Sequence, residues 1–416
     1  MSEIKHPELA PQGLMNIELA QRNMGALLKV QERFSKEKPF AGLTIGMALH
    51  VTKETAVLVR TLKAGGAKVV ITGCNPLSTQ DDVAAALAEE ENVEVFGYKG
   101  ETQEDYYKYL RAVLDQKPDI TIDDGCDLVS EIHTNYTDLI PSLIGGCEET
   151  TTGILRLKAM EKDTALQFPM IAVNDNKTKH LMDNYYGTGQ STLDGITRAS
   201  NLLWAGKTVV VLGYGSCGKG VALRARGLGS NIIVTEVDAF CSLQAVMDGF
   251  RVMPMEEASK IGDVFITVTG NKHVIRIEHM KQMKDGVILA NSGHFDAEID
   301  VPSLKQSSSS QRRVRPLFDE YMLDGKHIFL TGEGRLVNLA CAEGHPSEVM
   351  SLSFCGQALA CEYLVKNKGK LENKVYTLPP EIDDTISRMQ LVAMDIKIDA
   401  LTEEQKAYLG DWRMGT

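Results

Sequence analysis

The amino-acid sequence predicts an α/β protein built from two doubly wound parallel-sheet domains and a short C-terminal segment. Three observations carry that expectation. At 416 residues the chain exceeds what one hydrophobic core organises, since domains average roughly 150 residues. Short apolar runs of strand length alternate with segments of about ten residues whose apolar positions recur at helical spacing. That alternation marks parallel strands joined by helical crossovers, and it occurs twice along the chain.

The first series opens with residues 43–49 (LTIGMAL), a strand that ends at His50. Residues 52–62 follow with helical spacing, then a strand at 68–72 (KVVIT) and a turn at 73–76. Helix is expected over 81–90 and 104–114, and strand over 93–98 and 119–122, the last running into Asp123-Asp124-Gly125. The second series covers roughly 184–338. Its strands are expected at 207–212, 231–235, 264–268 and 287–290. Residues 307–313 (SSSSQRR) read as a polar surface segment. An apolar helix over 346–364 and a short tail complete the chain.

Composition excludes several classes of function. The net charge is −12 with both signs interspersed, a balance that repels nucleic acid and anionic membrane, so neither is expected as a partner. Eight cysteines occur with no CxxC pair and no Cys/His ligand spacing, which points to reduced thiols, a cytoplasmic setting and no metal. The first residues lack the basic-then-apolar pattern of a signal peptide. No apolar run approaches the ~20 residues of a membrane span.

One motif carries chemistry by spacing alone. Gly213-Tyr214-Gly215-Ser216-Cys217-Gly218 fits GxGxxG between an expected strand and an expected helix. Gly213 permits the tight turn, Gly215 lets the backbone approach a pyrophosphate, and Gly218 lets the helix pack on the strand. The pyrophosphate sits at the helix N-terminus, where free N–H groups and the dipole attract anions. The next strand ends at Glu236, where an acid bonds a ribose 2′-hydroxyl and repels a 2′-phosphate. The expected cofactor is therefore NAD, on a Rossmann fold. Cys217 reads as small filler in the loop. This pattern fits hydroxy-acid and alanine dehydrogenases as well as several hydrolases.

Longer strings narrow the choice. His50-Val-Thr52-Lys-Glu54-Thr55, Cys74-Asn75-Pro-Leu-Ser78, Asp123-Asp124-Gly125 and Glu148-Glu149-Thr150-Thr151-Thr152-Gly153 resemble the S-adenosylhomocysteine hydrolase family. So do Thr178-Lys179, Asp183-Asn184, Asn291-Ser292-Gly293-His294-Phe295, Glu333-Gly334-Arg335 and Gly344-His345-Pro346. The resemblance covers nearly the whole chain, in order and spacing. It implies a substrate-binding domain over 1–180 completed by 341–395, an NAD-binding domain over 184–338, a tail over 396–416, and a homotetramer.

The resemblance also implies a reaction: reversible hydrolysis of S-adenosyl-L-homocysteine to adenosine and L-homocysteine. A thiolate leaves poorly from unactivated carbon. Transient oxidation of the 3′-hydroxyl acidifies the C4′ hydrogen, homocysteine is eliminated, water adds and the ketone is reduced again, with no net redox change. Carried over residue by residue, Lys179 takes the 3′-hydroxyl proton, which requires a lowered pKa. Asp183 orients it. Asp124 transfers protons near C4′ and C5′, while His50 and His294 serve the leaving sulfur and the incoming water. Thr52 and Glu54, at positions that contact ribose and base, join Glu149, Lys179 and Asp183 in holding the substrate, and His345 closes the nucleobase pocket. Thr150, Thr151 and Thr152 are implied at the nicotinamide end. Asn184, Asn271, Ser292, Gly293, His294 and Asn338 extend that NAD contact.

The chain departs from the pattern at several points. Thr188 and Cys241 stand where many relatives have Cys and Asn, and Glu343 replaces the usual Met beside Gly344-His345. The tail ends without the extension that reaches a neighbouring subunit's NAD, so faster NAD exchange is expected. The short tail and Thr188 resemble methanogen members, some of which are thought to take S-inosylhomocysteine. That substrate is the alternative reading, with a charge at Glu343 re-aiming the base contact. A dehydrogenase with net redox is the remaining alternative.

Overall fold

The computed structural model describes residues 2–414; Met1 of the first expected domain and Gly415-Thr416 of the tail lie outside the described residues. Among the described residues fifteen strands form two sheets. The first six are β1 Thr44–Ala48, β2 Lys68–Thr72, β3 Val93–Phe96, β4 Ile120–Asp123, β5 Gly145–Glu148 and β6 Met170–Ala172. The next eight are β7 Thr208–Leu212, β8 Asn231–Thr235, β9 Arg251–Val252, β10 Val264–Thr267, β11 Val287–Asn291, β12 Ser310–Arg315, β13 Phe318–Leu323 and β14 Lys326–Thr331. The last is β15 Val375–Tyr376.

The first sheet is parallel throughout, in the order β15-β6-β5-β4-β1-β2-β3. The strand order reverses between β1 and β4. Such a switch point opens a crevice beyond the carboxyl ends of the strands, and His50 follows β1 there while Asp124 follows β4. The second sheet runs β12-β13-β14-β11-β10-β7-β8-β9 and switches between β7 and β10. Gly213 follows β7 at that point. The two sheets thus present their switch points to one shared cleft.

The expected α/β class holds, with one strand at the second sheet's edge that was not expected. Residues 307–313 were expected as a polar surface segment; they are largely exposed, and residues 310–315 also form β12, antiparallel to β13, which is itself antiparallel to β14. Every side chain of β12 is exposed, so no apolar alternation announces it. Pairing with β13 alone makes it a strand. β6 and β15 carry too few residues to stand out in the sequence, and β5 (GGCE) lacks the apolar run that marks a strand.

Two segments tie the halves together. Helix Ser347–Lys366 is apolar on nearly all sides and returns the chain to the core of the first sheet, where β15 pairs with β6. Residues 179–200 form one continuous helix, π-wound over Lys179–Gly187 and α-helical over Thr188–Ser200. Glycines let it cross helix Ser216–Gly227 at close range. A Cβ on Gly220 would stand 1.9 Å from the Tyr185 carbonyl, and one on Gly189 would stand 2.7 Å from Gly220. No helix among the described residues is long and apolar enough to cross a membrane.

Candidate active site

The cleft encloses a cavity of about 1070 Å³. One end is made of backbone. Gly213 adopts φ +104°, a left-handed conformation suited to glycine, and turns β7 into the helix. Gly215 caps helix Ser216–Gly227 without a side-chain hydrogen bond, so the first N–H groups of the helix point into open space. A Cβ at Gly215 would meet nothing within 4 Å, leaving room for a ligand against the backbone. Glu236 sits at the end of β8 and accepts hydrogen bonds from Tyr214 N at 2.7 Å and Val237 N at 2.7 Å. These residues fit the diphosphate and ribose of a dinucleotide.

Two of the expected cofactor residues act indirectly. Gly218 is not a wall of the cavity; its Cβ would stand 2.0 Å from the Gly213 carbonyl, so it serves helix–strand contact. Tyr214 turns its phenol into the second core, where it donates to Asp248 at 2.7 Å. The other expected residues, from Thr150–Thr152 and Asn184 through Cys217, Asn271, Ser292 and Gly293 to Asn338, all face the cavity. Thr150 is the N-cap of helix Thr151–Lys162 but makes no side-chain cap, which leaves its hydroxyl free toward the cleft.

The other end is made of charged side chains. Lys179 is buried, with Nζ 2.9 Å from Asp183 Oδ2, 3.3 Å from Glu149 Oε1, and donating to Asn184 Oδ1 at 3.0 Å. The wide π turn is what brings positions i+4 and i+5 together on this one ammonium. Each partner is held in turn. Ser353 and Gln357 each donate to Glu149 at 2.5 Å. His345 Nδ1 lies 2.5 Å from Asp183 Oδ1. Asn184 donates to Asn174, which donates to Thr151, both at 2.9 Å.

This arrangement bears on one condition of the expected role. Lys179 can act as a base only if its pKa is lowered. Burial does push it down, but Asp183 and Glu149 outweigh burial and the net shift is upward. Asp183 shows the complement: burial would raise it, yet Lys179 and His345 keep it well below the ordinary carboxylate range. Burial raises Glu149 despite Lys179.

A second charged group faces the first. His50 Nε2 lies 3.3 Å from Asp124 Oδ2, and His294 Nδ1 lies 3.5 Å from Asp124 Oδ1. His294 comes from the second sheet, so Asp124 is shared across the cleft. Asn291 pins the His294 loop by donating to Gly293 O, Phe295 O and Gly334 O. Burial lowers His50 to about 4, which makes it a neutral imidazole near neutral pH. Behind Asp124, Glu148 accepts from Gly125 N and Thr150 N, both at 2.9 Å, and burial raises its carboxyl well above the usual range. His50, Asp124 and His294 also bring one ligand atom each within 4.8 Å of one another, a donor set able to hold a divalent cation. Sequence spacing pointed to no metal because the three come from three separate loops.

Thr52 caps helix Lys53–Ala64, and Glu54 is buried at the cavity wall with Ser347 donating to it at 2.7 Å. Glu343, expected at the edge of a nucleobase pocket, does not line the cavity; its carboxylate is bound to Lys53 and Arg198. Thr188 lines the cavity between His345 and Cys217, 3.3 Å and 3.6 Å away. Sequence reasoning gave no role to Ser347, Ser353 or Gln357. Their signal was present: polar residues recurring on one otherwise apolar helix.

Known proteins match this architecture. Residues 2–139 match the model of the S-adenosyl-L-homocysteine hydrolase family, and residues 184–344 match that family's NAD-binding domain. The chain is similar to an S-inosyl-L-homocysteine hydrolase of Methanocaldococcus jannaschii, 59% identical and covering 100% of both chains. It is similar to an adenosylhomocysteinase of Aquifex aeolicus, 58% identical over 100% of this chain and 99% of the other. An adenosylhomocysteinase of Saccharolobus solfataricus is 56% identical over 100% and 99%. The chain therefore belongs to the S-adenosyl-L-homocysteine hydrolase family and carries its NAD-binding domain.

Proposed function

We propose that the chain reversibly hydrolyses S-adenosyl-L-homocysteine to adenosine and L-homocysteine. In this reading residues 1–180 with 341–395 hold the substrate, and residues 184–338 hold NAD. The observation that carries it is one cavity joining the Lys179–Asp183–Glu149 cluster, the His50–Asp124–His294 cluster and the Gly213–Gly218 backbone cradle.

NAD, when bound, supplies the hydride acceptor for the ribose 3′-carbon and returns the hydride at the end. The protein's own groups move the protons. Lys179 grips the 3′-hydroxyl as a donor. It can accept that proton only after giving up its own, and Glu149, whose proton affinity burial raises, is the adjacent group able to hold one. Asp124 lies between two imidazoles and serves the C4′ proton. His50, neutral and buried, is poised to activate water; His294 serves the departing sulfur from the opposite wall. Closure of the cleft excludes bulk water while these charges act.

A homotetramer in the cytoplasm completes the reading. Phe240, Leu243 and Met247 are exposed on helix Ala239–Met247, as are Leu409 and Trp412 in the tail; such apolar patches suit contacts between subunits. The test is a side-by-side assay of S-adenosylhomocysteine and S-inosylhomocysteine, following free thiol and nucleoside without added NADH. Thiol release from the adenosyl compound with no NADH in solution is expected. Release from the inosyl compound alone moves the base specificity and keeps the mechanism. NADH accumulating in solution would overturn the mechanism in favour of a dehydrogenase.

A further inference from the structure

Glu54 faces the cavity with two neighbours on one oxygen. Ser347 Oγ donates to Oε1 at 2.7 Å, and Lys53 Nζ stands 3.6 Å from the same atom. The second separation is an ion-pair contact, too long for a hydrogen bond. Lys53 is the first residue of its helix, where the dipole disfavours a cation. A neighbouring anion offsets that cost. That anion is Glu343, which accepts from Lys53 Nζ at 2.9 Å and meets Arg198 with its other oxygen at 3.3 Å. Glu343 lies on the segment that crosses between the two halves of the molecule, and its side chain is 60% exposed. Two carboxylates thus compete for one ammonium, and the surface one holds it more closely.

We propose that Lys53, positioned by Glu343, sets which purine edge Glu54 accepts. This rests on the reading that Glu54 faces the nucleobase. An ionised carboxylate is an acceptor only. A 6-aminopurine presents N–H donors at position 6 and suits it directly. A 6-oxopurine presents an acceptor oxygen at position 6 and a donor at position 1. The carboxylate repels that oxygen unless a cation stands beside it. The Lys53 ammonium supplies the compensating charge, so it widens the pocket's tolerance toward the 6-oxo base. Glu343 limits that tolerance by drawing Lys53 outward. Neither residue touches the reacting atoms; both act as positioning residues through Glu54.

The experiment uses the NAD-loaded enzyme. It measures kcat and KM for S-adenosyl- and S-inosylhomocysteine, and Kd for adenosine and inosine, in wild type, Lys53→Met, Glu343→Gln and Lys53→Arg. Lys53→Met is expected to shift the adenosyl-to-inosyl ratio of kcat/KM about tenfold toward adenosyl. Glu343→Gln is expected to shift it several-fold the opposite way. Lys53→Arg keeps the wild-type ratio, and the changes fall on KM and Kd while kcat holds. Glu343 is at the surface, so Glu343→Gln tests the idea even if Lys53→Met fails to fold. A ratio unchanged within about twofold in Glu343→Gln, in an enzyme that turns over, overturns the inference alone. A wild type that binds neither nucleoside overturns the reading of the cavity, and this inference with it.

Discussion

The two ends of the cavity recognise their ligands by different means. At the Gly213–Gly218 end the contacts are backbone N–H groups and empty space beside a glycine; few side chains take part. At the Lys179 end the contacts are buried charges, each held by a second polar group: Glu149 by Ser353 and Gln357, Asp183 by His345, Asn184 by Asn174. The first design tolerates side-chain change but no added Cβ. The second tolerates backbone variation elsewhere but no lost partner, because a buried charge without its counterpart is costly.

Substitution at the charged end is expected to have the largest effect. Lys179→Met removes the group proposed to grip the 3′-hydroxyl, and turnover should fall by about 10³-fold or more while NAD content, measured after denaturation, stays at the wild-type level. Loss of NAD together with activity would show that the two ends are not separable.

The backbone end is sharpened by two glycines of one motif. Gly215→Ala should fold with an unchanged Tm, because its Cβ meets nothing, yet lose NAD affinity by about tenfold or more as the methyl fills the cradle. Gly218→Ala should lower Tm itself, since its Cβ would lie 2.0 Å from the Gly213 carbonyl. Calorimetry of the two apo variants separates these outcomes; equal destabilisation would break the distinction between ligand-facing and packing glycines.

A smaller effect is expected one shell out. Gln357→Ala leaves Glu149 with Ser353 and Lys179 only, so kcat should fall about tenfold with little change in NAD affinity. An unchanged kcat would mean that Ser353 positions Glu149 by itself.

The smallest effects are in pH dependence, and they have opposite signs at two buried groups on loops beside the first sheet. His50 titrates at about 4 in the folded chain against 6.5 unfolded, so the unfolded chain binds the extra proton and stability falls as pH drops from 6.5 toward 4. Glu101 goes the other way: burial raises its carboxyl from 4.5 to about 8, so its contribution is present at low pH and lost as pH rises through about 8. His50→Gln should flatten the acid side of the Tm–pH curve, and Glu101→Gln should raise Tm at pH 8 by about 2–4 °C with no gain at pH 4.5. A gain that is equal at both pH values would place the Glu101 effect in packing rather than charge.

The alternation of β1 to β4 and of β7, β8, β10 and β11 was legible because strands buried on both faces must be apolar throughout; β9, two residues long and partly exposed, was not. The exposed strand β12 was not, since pairing alone defines it. The cofactor cradle was legible for a similar reason: only glycine satisfies its turn and its close approaches, so a local constraint leaves a local mark. The site residues could be named from their strings, but their states could not. Whether Lys179 is ammonium or amine depends on Asp183 and Glu149, which a π turn and a separate strand bring within 3.3 Å. Whether Glu343 touches the base or the surface depends on Lys53 and Arg198, distant in the chain. Sequence alone thus determined the fold class and the dinucleotide motif, and it named the candidates for the site. The tertiary structure decided protonation and partnership, because both are set by Coulomb and desolvation energies between groups that only the folded chain brings together.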